Sequence, residues 1–167
     1  MTTPDGSDLI PIMHAAAAPT PEAASLAVAD LLSHCHRTDE RTQLLVAVDK
    51  ERRTAAMHAV LAGNVSAGVI GQLIGEGKPG CDVIALHMCI TQSGPDGNSL
   101  VHALAAEGSQ ASIDAVLSLF AVLDDGAEQV SVMMQNNRLG ESPLLVAVKV
   151  RSAISTSDPH SLQLIQC

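Results

Sequence analysis

The sequence predicts an all-α chain, built as a repeat of about four helix-turn-helix units with extra short helices between them. Three observations carry this. The 167 residues are 47% hydrophobic but only 1% aromatic, with one Phe (Phe120) and no Trp or Tyr. Ala, Leu, Val, Ile and Met must therefore fill the core; such side chains let helices approach closely, whereas sheets favour β-branched and aromatic residues. Apolar residues recur at intervals of three and four, the signature of an amphipathic helix. Gly, Pro and Ser/Asp clusters punctuate these stretches at regular distances.

Three segments share a pattern of small, apolar, apolar, His, apolar: Pro11-Ile12-Met13-His14-Ala15, Ala55-Ala56-Met57-His58-Ala59 and Ser99-Leu100-Val101-His102-Ala103. The histidines fall 44 residues apart, and the next step lands at Val146, one residue off the frame of Ser142-Pro143-Leu144-Leu145. A second apolar-periodic stretch follows each: Ala24 to Leu32, Val65 to Ile74, and Ile113 to Phe120. Pro19 and Pro21, Gly63-Asn64, Gly108-Ser109 and Ser157-Asp158-Pro159 separate the two helices of each pair, with Ser or Asp available to cap. Between units, Leu44 to Val48, Val83 to Leu86 and Val130 to Met134 read as short third helices. The frame divides one 1–167 domain into units 5–48, 49–92, 93–135 and an incomplete 136–167.

A polar turn precedes each of the later helix pairs: Asp49 to Arg53, Gln92 to Asn98 and Gln135 to Glu141. These are the segments that are both polar and repeated. A Gly there supplies positive φ, a Ser or Thr caps the following helix, and Pro at its first position has no N–H to waste.

On these motifs the chain resembles the ankyrin-repeat family. Gly97-Asn98-Ser99-Leu100-Val101-His102-Ala103-Leu104-Ala105-Ala106-Glu107-Gly108 follows the family's Gly-x-Thr-Pro-Leu-His-x-Ala-Ala pattern and closing Gly, and Gly140-Glu141-Ser142-Pro143-Leu144 follows its front half. The unit around His58 is degenerate, with Arg53 at the Gly position in the His frame. An ordinary ankyrin repeat runs about 33 residues; the longer period resembles extended repeats of bacterial ankyrin proteins. HEAT and armadillo repeats share the longer period but lack the turn motif.

Composition excludes several functions. Nine Lys and Arg against 18 Asp and Glu give a net charge of −9, the wrong sign for a phosphate backbone, and no aromatic platforms exist for bases, so nucleic acid is an unsuitable partner. Thr54 to Gly75 carries no charge and contains a GxxxG spacing, but His58, Asn64, Ser66 and Gln72 make it a poor membrane span. No Lys or Arg precedes Arg37, so a secretory leader is not indicated and the cytosol is the expected compartment. Cys35, Cys81, Cys89 and Cys167 are then expected as free thiols.

No catalytic constellation emerges. His34-Cys35-His36 and Cys81, His87 and Cys89 lack the spacing of a structural zinc site. Gly75 to Gly80 fails as a phosphate loop because Gln72 and Pro79 stand where Gly and Ser/Thr are required. No metal, cofactor or enzymatic activity is expected. The repeated histidines read as turn architecture rather than as active sites.

The resemblance implies a protein-binding scaffold that uses turn tips and the first helices. The partner-binding candidates are Lys50, Glu51 and Arg52 in the first turn, Pro95, Asp96 and Asn98 in the second, and Asn137, Arg138 and Glu141 in the third. Lacking Trp and Tyr anchors, such a surface suits a partner that brings its own aromatics. The last stretch, Asp158 to Cys167, starts a helix without a polar capping face, implying either a homodimer through the C-terminal helix or a repeat-domain fragment of a larger bacterial effector or enzyme. The second reading carries delivery into a host cell as its alternative location.

Overall fold

The computed structural model describes residues 9–74, 90–123 and 125–157, with the side chains of 67, 122 and 152–157 left aside. The described chain is helical: α1 (Pro11–Ala16), α2 (Pro21–Ser33), α3 (Thr38–Val46), α4 (Ala55–Leu61), α5 (Ala67–Ile74), α6 (Leu100–Glu107), α7 (Gln110–Val122), α8 (Gly126–Met134) and α9 (Pro143–Ser157). Among the described residues no strand forms; isolated bridges join Val48 to Thr54 and Ser93 to Ser99 at the bases of two turns.

Several helices begin where the sequence supplies an oxygen for orphan amides, although α1 and α3 start after Ile10 and Arg37 without a side-chain cap. Thr20 accepts from the Ala23 N–H at 3.2 Å, with Pro21 as the first helical residue. Ser66 accepts from Val69 at 3.3 Å and Ser109 from Ser112 at 3.2 Å. Asp125 accepts from Ala127 at 2.9 Å and starts α8. At the other end, Gly108 closes α6 in the left-handed conformation, and Gly63 holds a φ of 79° just past α4. Of the expected third helices, Val130 to Met134 is the second half of α8, whereas Leu44 to Val48 only overlaps the end of α3, which begins at Thr38 and stops at Val46, with Ala47 extended and Val48 bridging to Thr54. The third, Val83 to Leu86, lies outside the described residues, as do Gly75 to Gly80, Cys81, His87, Cys89 and the Asp158 to Cys167 stretch.

Helices α1 and α2, α4 and α5, and α6 and α7 pair. Their first members line up as a row, α1 on α4, α4 on α6 and α6 on α9; α2, α5 and α7 form the second row. The core lies between the rows. Ile12, Met13, Val28, Ile70, Leu73, Leu100, Leu104 and Leu119 are buried there, each such side chain contributing about 1.5–3 kcal/mol by leaving water. Ala16, Ala24, Ala55, Ala56, Ala59 and Ala115 are buried with them, so the helices meet closely without aromatic fill. Phe120 packs at the margin of this cluster.

Polar side chains lock neighbouring pairs. Asn64, 1% exposed, donates to the carbonyls of Ala16 (2.9 Å) and Ala18 (2.7 Å), tying the turn after α4 to the end of α1. Gln72 on α5 donates to Ser25 Oγ on α2 at 3.1 Å.

The true period differs from that of the histidines. The left-handed turn residues are Arg52 (φ 61°), Gly97 (φ 75°) and Gly140 (φ 74°). Arg52 to Gly97 and cap Thr54 to cap Ser99 are each 45 residues; Gly97 to Gly140 and Ser99 to Ser142 are each 43. Arg52, not Arg53, therefore occupies the Gly position of its turn. His102 is the third residue of its helix and His58 the fourth of its own, so the two are not structural equivalents; His14 is the fourth of α1 and is exposed.

Candidate protein-binding groove

The three polar turns are one backbone device used three times. In each, the first residue donates to the carbonyl of the fifth: Asp49 to Arg53, Gly94 to Asn98 and Asn137 to Glu141, all at 3.0 Å. In each, the fourth residue, the one with positive φ, donates back to the first at 3.0 Å. Where the first residue has an Asx side chain, its Oδ1 also takes two amides. Asp49 accepts from Glu51 and Arg53 at 2.8 Å, and Asn137 accepts from Leu139 and Glu141 at 2.9 Å. Asp and Asn fit this place because their short side chains reach backbone amides ahead of them.

Neighbouring turns are fastened together. The Arg138 N–H donates to the Asp96 carbonyl at 3.0 Å, and Asn137 Nδ2 donates to Asn98 Oδ1 at 2.9 Å. Below them His102, 1% exposed, bridges the same two turns. Its Nε2–H donates to the Glu141 carbonyl at 3.0 Å, because a carbonyl can only accept; Nδ1 is then free to accept from the Ser99 N–H at 3.2 Å. In the first turn the carboxylate of Asp49 meets His58 Nε2 at 2.9 Å.

Three carboxyls of this region sit below their ordinary range. Burial pushes Asp49 up, but the amides of Arg53 and Glu51 and the His58 ring outweigh it and hold the group down. Burial likewise opposes, and the Ser109 and Ser112 bonds overcome, the shift at Glu107. Glu141 is lowered first by its bond to Lys149 and then by Asn137. All three are charged at neutral pH.

In front of the turns, along α4, α6 and the start of α9, runs a groove of about 570 Å³. Met57, Val60, Leu61, Ala103, Ala106 and Val146 give it an apolar floor, and Leu139 overhangs from the third turn. Its lining includes Asp96, Glu107, Glu141 and Arg53, with Arg53 paired to Glu51 and Glu141 to Lys149. Leu61 and Leu139 are 63% and 78% exposed, large apolar surface left uncovered beside carboxylates.

Of the residues expected from sequence to contact a partner, Pro95, Asp96, Asn98, Asn137 and Glu141 line this groove, whereas Lys50, Glu51, Arg52 and Arg138 stand exposed at the turn tips beside it. Asn137 is 8% exposed and its amide is engaged within and between turns, which makes it a strut of the surface. The floor residues were not among those candidates. One signal did exist for them: Leu139 is a large apolar residue inside an otherwise polar turn.

Among the described residues no three His, Cys, Asp or Glu side chains converge as metal ligands. His34 instead ends α2, its Nδ1–H donating to the Asp30 carbonyl at 2.8 Å, and Cys35 is a half-buried free thiol. No helix of the described residues is long and apolar enough to cross a membrane. Compared with known protein families and with curated proteins, the sequence matches no family and no curated protein.

Proposed function

We propose that this protein is a non-catalytic, ankyrin-like scaffold that binds a segment of another protein in the groove between its turns and its first-row helices. The carrying observation is the groove itself: exposed Leu61 and Leu139 over an apolar floor, with Asp96, Glu107 and Glu141 in its lining and turns that are hydrogen-bonded to one another. The recurring cap-and-turn device and the two helix rows favour the ankyrin-like reading of the fold. A rigid surface loses little entropy on binding, and the charge of the rim steers and selects a cationic partner. The partner is therefore a peptide segment that presents an aliphatic or aromatic side chain to Leu61 and Leu139, with Lys or Arg alongside.

A displayed library of random peptides tests this. Selection on the native chain should enrich sequences that combine an apolar anchor with Lys or Arg, and Leu61→Glu and Asp96→Lys should each weaken capture by about tenfold or more. A library with no enrichment, or one whose winners are indifferent to both substitutions, would remove the reading.

A further inference from the structure

We infer that the tips of the polar turns are a second recognition element, a pair of guanidiniums that holds an acidic stretch of the segment bound in the groove; the choice of ligand rests on the reading of that groove. Arg52 occupies the fourth position of the first turn, with a φ of 61° where the second and third turns have Gly97 and Gly140. Gly would fill that place without strain, yet the turn carries an exposed Arg there. The second turn has no side chain at this position, but its neighbour supplies one. A Cβ on Gly97 would lie 3.1 Å from Arg138 Cγ and 2.8 Å from the Arg138 backbone nitrogen. The stem of Arg138, reaching over from the third turn, thus stands where a side chain on Gly97 would begin, and the bond from its N–H to the Asp96 carbonyl fixes it there. Arg52 and Arg138 therefore start from matching places on adjacent turns.

These two cations are uncommitted. Arg53 pairs with Glu51 and Lys149 with Glu141, whereas no carboxylate among the described residues lies within ion-pair distance of Arg52 or Arg138. Lys50 adds a further exposed cation to the first turn. Asp96, the exposed acid of the second turn, lines the groove, and neither Arg52 nor Arg138 does. The ridge of turns thus divides the charges, carboxylates on the groove side and guanidiniums at the tips. Adjacent helix pairs stack about 10 Å apart, and alternate residues of an extended chain point the same way about 7 Å apart. Two Asp or Glu residues at i and i+2 of an extended segment therefore suit the pair, each carboxylate meeting a planar fork of donors. The division also orients the ligand: its apolar, basic part lies in the groove and its acidic part crosses the tips.

Nuclear magnetic resonance of the full chain, observing the arginine Nε–H groups, tests the cations with a short peptide of alternating Ser and Glu as the probe. At low salt, where exposed charges are least screened, the probe should shift Arg52 and Arg138 and leave Arg151 unmoved. Arg52→Gln and Arg138→Gln should each weaken its binding about fivefold, whereas Arg151→Gln, which removes the same charge from α9, should leave it unchanged. Joined to a groove-binding peptide from the displayed library, the acidic stretch should raise affinity at one end of that peptide and not at the other. Both ridge variants should remove this increase and leave the unextended peptide as it was. Shifts spread evenly over the exposed arginines, ridge variants no different from Arg151→Gln, or an extension equally effective at both ends would each overturn the proposal. A library without winners would remove the groove reading alone, because the contact of the acidic probe with Arg52 and Arg138 is read without it.

Discussion

Asp49 Oδ2 and His58 Nε2 lie 2.9 Å apart, and the other oxygen of the same carboxylate takes the backbone amides of Glu51 and Arg53. One side chain therefore fixes the first turn to the helix that follows it. Because these bonds hold the Asp49 carboxyl below its ordinary value, the native state binds its proton less readily than the unfolded chain. The stability it contributes is complete above the unfolded carboxylate pKa, about 3.9, and drains away as pH falls through the lower native value. Urea midpoints measured from pH 6 down to about pH 3 should fall toward the acid end. Asp49→Asn, which keeps the amide-accepting oxygen, should shallow that fall; an unchanged fall would assign the acid sensitivity to Glu107 and Glu141 alone.

Gly97 and Gly140 hold the same positive φ but differ in their surroundings. A Cβ on Gly97 would stand 2.8 Å from the Arg138 backbone nitrogen, whereas a Cβ on Gly140 meets nothing within 4 Å. Gly140→Ala should therefore cost only the left-handed penalty of about 1–2 kcal/mol. Gly97→Ala must in addition push the second and third turns apart and break the Arg138-to-Asp96 bond, for a total of roughly 3 kcal/mol. Thermal denaturation of the two variants side by side checks the difference; equal losses would mean the turns are not rigidly fastened.

The sequence made the helices, the breakers and the repeat of turns legible, because Pro21, Gly63, Gly108 and the Ser/Thr caps act through local chemistry that needs no tertiary context. It misled on the period. The conspicuous side chain, His, recurs every 44 residues, while the fold repeats on backbone features at 45 and then 43. An Arg in the left-handed position hid the register of the first turn, which the histidine frame misplaced by one residue, onto Arg53. Likewise the charged turn tips were visible as candidates, but the apolar floor of the groove was not. Met57, Val60 and Ala103 belong to helices whose apolar residues read as core, and only the stacking of α4 on α6 decides which of them face the groove.

Arg52 holds φ 61° where the matching turns have Gly, with its side chain exposed. Arg52→Gly relieves a left-handed cost of about 1–2 kcal/mol but gives back about 0.4–1 kcal/mol in unfolded-state entropy, so the net gain should be about 0.5–1 kcal/mol. The variant should melt higher than wild type. If Arg52 is retained for its guanidinium at the turn tip, the same variant should also lose affinity for an acidic residue placed at the end of a bound peptide, and a more stable protein with unaltered binding would show the side chain to be dispensable.

His102 offers the sharpest division between shape and chemistry. It lines the groove, yet its ring nitrogens are committed to Ser99 and to the Glu141 carbonyl. His102→Ala removes both bonds and opens a void beneath the second and third turns, which should cost about 2–3 kcal/mol. His102→Gln places an amide that can still donate to Glu141 and should recover part of that loss. If the ring acts only as a strut, peptide affinity will follow stability across the series, with Gln between His and Ala. Affinity lost in His102→Gln out of proportion to its unfolding free energy would instead give the imidazole a direct part in recognition.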